Sequence, residues 1–250
     1  MGLARHRKPH GVRGRAAGWV PSTAERVPYT CAMTVSLRPA ALPRAIRSYV
    51  YRAPGTFIWL GILFGTSVIM HQLTPDILER VLQRRSTNIH NLLLSPGRVL
   101  LTSALWLDGG GWPLYVLVFN IFHVPAERWL GTGRWLAVMG VAHIGATYLS
   151  EGVLALAIHT DAAPHSAVNT LDVGVSYALA GVAAVLTYRI PWRPLRYVYA
   201  TGVLLFYTAP LFDHLTFTDI GHFSAALLGL ACYPLTPRRK SDQAAVPNAS

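Results

Sequence analysis

Six apolar segments of spanning or near-spanning length recur along the chain, at residues 54–71, 112–127, 135–155, 171–188, 197–212 and 216–235. An α-helix needs about 20 apolar residues to cross the hydrocarbon layer of a bilayer, and it satisfies its backbone polar groups within itself. The shorter segments reach across by tilting or by local thinning of the bilayer. The pattern therefore predicts an all-α membrane protein built as a six-transmembrane-helix bundle.

Composition points the same way. Only 13% of the residues are charged and 52% are hydrophobic, whereas an average soluble domain carries about 25% charged residues. Too little polar surface is encoded to wet a soluble globule of this length.

The formal charge of +11 would suggest nucleic acid in a soluble protein. Here the basic residues fall in the gaps between apolar runs, which makes them topology signals and excludes nucleic acid as the expected partner. With both termini cytoplasmic, eighteen of the 22 Lys and Arg residues lie on the inner side. The other four, Arg80, Arg84, Arg85 and Arg98, lie outside. That asymmetry is the one the positive-inside rule requires, so the expected topology is N-in/C-in in a plasma membrane, multi-pass.

Three regions follow. Residues 1–52 read as a basic, disordered arm, 53–236 as the six-helix membrane domain and 237–250 as a polar cytoplasmic tail. Between the first two spans, residues 72–111 combine the amphipathic DILERVLQRR with an apolar stretch broken by Pro96 and a glycine run, which suits either a structure lying partly in the outer leaflet or a plain surface loop over the bundle. Trp112, Trp129, Trp135 and Trp192 fall where an aromatic belt would sit. Cys31 and Cys232 stand apart with no CxxC, so neither a disulfide framework nor a zinc site is expected.

Polar side chains inside a bilayer are costly, and each is a functional candidate by default. The set is Tyr115, Asn120, His123, His143, Asp172, Ser176, Asp219 and His222. Ser176 in the fourth span and His222 in the sixth are each expected about 8–9 Å below the outer boundary, from 1.5 Å of rise per residue. Glycines and alanines at 174, 178, 221, 225 and 229 allow two helices to approach closely. A neutral imidazole within reach of a serine hydroxyl can take its proton and make it a nucleophile, so Ser176 is the candidate nucleophile and His222 the candidate base. The competing reading has Ser176 bonded back to its own helix and His222 packed in the core. Asp172 and Asp219 fit helix first turns, as caps. His123 and His143 read as packing residues. Asp213, His214, Asp219 and His222 offer metal-ligating groups without a recognised spacing, so no metal and no cofactor is expected.

At these residues the chain resembles the rhomboid family of intramembrane serine proteases. GHFSAALLG (221–229) is similar to the family's small-His-x-x-Gly-x-x-x-Gly sixth helix, and AERWLGTGRW (126–135) to its Glu-Arg and Gly-x-Gly turn. Arg98 resembles the arginine of the family's first outer loop. The resemblance covers residues 54–235. It implies a six-helix core, a serine on the fourth helix, a histidine on the sixth, and a membrane-embedded helix as substrate.

The chain also departs from the family. GxSG appears as Gly174-Val175-Ser176-Tyr177, and pairing Gly181 with the family's downstream glycine puts Val173 at the nucleophile position. On the second helix the oxyanion pair His-x-x-x-Asn is reduced to Asn120, with Val116 four residues before it. Loss of one oxyanion donor costs about 2.7–4 kcal/mol of transition-state stabilisation. The leading expectation is a divergent intramembrane serine endopeptidase using Ser176, His222 and Asn120. The alternative is an inactive pseudoprotease that binds client transmembrane helices in membrane lipid.

Overall fold

The computed structural model describes residues 41–107, 111–213 and 215–237. Most of the basic arm including Cys31, His214, and the tail with Arg238, Arg239 and Lys240 lie outside the described residues. Among the described residues eleven α-helices follow one another: α1 Ala41–Tyr51, α2 Pro54–Gln72, α3 Pro75–Arg85, α4 Ile89–Leu94, α5 Pro96–Ser103, α6 Trp112–Val118, α7 Val124–Leu130, α8 Thr132–His159, α9 Ser176–Val185, α10 Arg193–Thr208 and α11 Phe217–Ala231. A π-helical turn, Phe119–His123, joins α6 to α7, and 3-10 turns follow α9, α10 and α11. No strand occurs among the described residues. α2, with 19 residues, and α8, with 28, are long and apolar enough to cross a membrane.

Local chemistry sets the boundaries. Pro54, Pro75 and Pro96 open α2, α3 and α5, where a missing N–H costs nothing and the fixed φ suits the first turn. Thr216 and Asp219 form a capping box on α11: the Thr216 hydroxyl accepts from the Asp219 N–H at 3.2 Å, and the Asp219 carboxylate accepts from the Thr216 N–H at 3.0 Å. α7 and α8 are separated by Gly131 at φ 82°, a conformation side chains disfavour. The expected fourth span differs most. Gly174 sits at φ 132°, so residues before Ser176 cannot continue the helix, and α9 begins at Ser176 rather than at 171. Ser176 is therefore the first residue of its helix, while His222 is six residues into α11.

α8, α9 and α11 form the centre of the bundle and meet through small residues. A Cβ on Gly181 would collide with Ala142, and one on Gly229 with the Gly181 backbone. Near them a Cβ on Gly145 would come within 2.6 Å of Leu228. Such contacts drive helix association where water supplies no hydrophobic force. α10 has no buried residue. It is tied to α9 by the Tyr199 hydroxyl, which donates to the Ala183 carbonyl at 2.8 Å.

A second core holds Trp59, Phe119, His123 and Trp135. Trp135 is 1% exposed and donates through Nε1 to His123 Nδ1 at 3.2 Å, so it is an interior residue and not part of an aromatic belt. Beside it the buried Glu127 clamps three elements. Its carboxylate accepts from the Gly55 N–H at 2.9 Å, from the Thr56 N–H and hydroxyl at 2.7 Å each, and from the Thr132 hydroxyl at 2.8 Å. Helix α2 leaves its first N–H groups unpaired, and a carboxylate at that positive end satisfies them.

Candidate functional site

Ser176 and His222 line one cavity of about 700 Å³ between α9, α10 and α11, together with Leu179, Phe206, Tyr207, Asp213 and Asp219. They share the cavity, but no hydrogen bond joins them, and the Ser176 hydroxyl has no hydrogen-bond partner among the described residues. The His222 ring is held by aromatic packing instead. Tyr207 stacks on it with centroids 5.9 Å apart and planes at 20°, and Tyr177 meets it edge-on at 5.1 Å. The first turn of α9 carries no side-chain cap.

Asn120 is elsewhere. Its amide donates to the Val116 carbonyl at 2.7 Å, and its Oδ1 accepts from the Tyr49 hydroxyl at 3.0 Å. Tyr49 borders a different cavity with Pro125 and Arg189, and Arg189 ends the 3-10 turn that continues α9. Ser176 opens that same helix, ten residues and about 15 Å long. The structure thus brings Ser176 and His222 to one cavity and leaves Asn120, through Tyr49, beside the cavity that Arg189 borders.

The two aspartates divide. Asp219 caps α11. Asp172 does not cap α9, whose N-cap position is Val175. Its carboxylate and carbonyl both accept from the Thr87 hydroxyl at 3.0 Å, and its N–H donates to the Ser86 hydroxyl at 2.8 Å. It fastens the segment before α9 to the loop between α3 and α4. Of the four-residue metal grouping, His214 lies outside the described residues and Asp219 is engaged in its cap; among the described residues no three His, Cys, Asp or Glu side chains cluster as metal ligands. Arg98 is exposed and donates to the Arg84 carbonyl at 3.3 Å.

A polar cluster that sequence reasoning passed over lies beside the cavity. Glu151 on α8 is 3% exposed, and neither carboxylate oxygen closes a hydrogen bond of good geometry, although the Ile89 N–H stands near. The Asp172 carboxylate acts on it electrostatically, as it does on Tyr177. The Tyr177 hydroxyl is also unpartnered; the hydroxyls of Ser150 and Thr218 stand near without closing a bond of good geometry. Thr147 adds a fourth orphaned oxygen. Glu151 is the only acid within the apolar run 135–155, and that signal was available.

The register of α9 is fixed by packing. Gly181 lies against Gly229 of the sixth-helix motif, and Tyr177 fills the space over Gly221. Four residues before Tyr177 stands Val173, which is 8% exposed and apolar.

No curated protein and no solved structure matches the chain. The family model of rhomboid-like proteins matches residues 48–242, which span α2 to α11 and include both the α11 motif and the Glu127 turn. On that match and on the all-helical architecture, the chain belongs to the rhomboid-like family.

Proposed function

We propose that this rhomboid-like protein is a six-span, N-in/C-in membrane protein that binds client transmembrane helices and does not hydrolyse them. The observation that carries the reading is the register of α9. With Gly181 seated on Gly229, the position that the rhomboid resemblance assigns to the nucleophile holds Val173, which has no hydroxyl. Ser176, three residues later, lines the His222 cavity but makes no hydrogen bond to its imidazole. General-base activation needs that bond, or one water in its place. Asn120, with both ends of its amide engaged toward the other end of α9, is not placed to donate to an oxyanion at Ser176.

Client binding is supported by an apolar groove of about 520 Å³ between α2, α5 and α8, lined by Ile58, Ile62, Leu101, Leu136, Met139 and Gly140 among others. A groove with small residues on its floor suits the close approach of another helix. The shared cavity of Ser176 and His222 favours the protease reading, and one experiment separates the two. Purified protein in detergent, shown to be folded, is exposed to a fluorophosphonate probe beside its Ser176→Ala and His222→Ala variants. Wild type is expected to label no more than Ser176→Ala. Labelling that is strong in wild type and lost in both variants would establish an activated serine and overturn the proposal.

A further inference from the structure

A second polar cavity, of about 410 Å³, lies at the end of the bundle away from Ser176 and is bordered by Tyr49, Val124, Pro125, Arg128, Trp129 and Arg189. We propose that it binds the phosphate of an anionic membrane lipid, held by Arg128 and Arg189. The inference uses the membrane setting of the family and is independent of whether the chain has hydrolytic activity.

Two guanidiniums converge on this cavity, and neither meets a carboxylate among the described residues. Arg128 lies over the Tyr49 ring at 5.6 Å, and Arg189 donates to the Pro125 carbonyl at 3.5 Å. Each guanidinium carries five N–H donors, so most remain free. Glu127, the neighbouring acid in sequence, directs both oxygens to Gly55, Thr56 and Thr132 and pairs with neither guanidinium. A site with two cations, no anion and a planar donor fork is complementary to phosphate, which guanidinium binds in bidentate fashion.

The setting selects a lipid over a free anion. One wall is α1, whose residues alternate Arg44 and Arg47 with Ile46, Tyr49 and Val50, the pattern of a helix lying in an interface. Tyr49 anchors that helix to the bundle through Asn120 and meets Phe57 of α2 edge-on at 5.8 Å. Trp129 borders the same cavity, and an indole at headgroup depth marks the boundary of the apolar layer. Under the proposed topology this end is cytoplasmic, and basic pockets between helices on that face are suited to acidic headgroups.

The test uses the full-length protein in neutral detergent, titrated with phosphatidylglycerol, with phosphatidylcholine of the same chains, or with inorganic phosphate, and read as the lipid-bound fraction by native mass spectrometry. Phosphatidylglycerol is expected to bind over phosphatidylcholine, and the Arg128→Gln/Arg189→Gln pair to weaken it by about tenfold or more. Arg80→Gln, on α3, is expected to leave it unchanged. The Arg128→Lys/Arg189→Lys pair retains charge but not the fork and should keep part of the selectivity, which guards against a folding artefact. Undiminished phosphatidylglycerol binding in the Gln pair would overturn the proposal. So would equal binding of phosphatidylcholine, or displacement of the lipid by millimolar inorganic phosphate.

Discussion

Two buried glutamates in this chain have opposite circumstances. Glu127 accepts four hydrogen bonds and meets the positive end of α2. Glu151 closes none of good geometry and has only the Ile89 N–H near it. Glu127→Ala strands the donors of Gly55 and Thr56 in the interior and is expected to cost about 3 kcal/mol. Glu151→Met removes a buried carboxylate with no cation beside it and is expected to stabilise the protein by about 1–3 kcal/mol. Thermal unfolding of both variants in one detergent checks the pair, and a loss of stability in Glu151→Met would mean that the carboxylate has a partner in solution. At this scale the sequence was only partly legible. His222 and the Asp219 cap could be placed from spacing. Asp172 could not, because its partners Ser86 and Thr87 stand some 85 residues away. Asn120 was legible as a polar residue in an apolar run but not as a partner of Tyr49, which lay in a segment read as a disordered arm.

Helices carry the next level. α8, α9 and α11 rely on glycine at their crossings, whereas α10 rests on the bundle with no buried residue of its own. Gly229→Val forces a side chain into the Gly181 backbone and is expected to destabilise by about 1–3 kcal/mol or more. Gly202→Ala on α10 meets nothing within 4 Å and is expected to be neutral or to add up to about 1 kcal/mol through helix propensity. Equal effects in a denaturation series would show that the crossing is not as close as described. The apolar runs located these helices well, since hydropathy reads length and period directly. They failed at the start of α9, where Gly174 adopts a positive φ that hydropathy does not register, and that shift of five residues changes the depth of Ser176.

For the whole molecule, the distribution of basic residues carries the proposed topology, and a labelling experiment tests it. In a background lacking Cys31 and Cys232, Asp161→Cys is expected to react with an impermeant maleimide on intact cells. Arg193→Cys is expected to react only after permeabilisation. The reverse pattern would invert the orientation. The stabilising clamp and the candidate site also occupy different places. Glu127 fastens α2, α7 and α8 through residues that do not border the Ser176 cavity. Substitutions around His222 therefore leave the clamp intact, and substitutions in the clamp leave the cavity's chemistry intact. A scaffold whose clamp stands apart from its cavity can exchange the groups around His222 one at a time and stay folded, so what the cavity does and how the bundle holds together are free to vary separately.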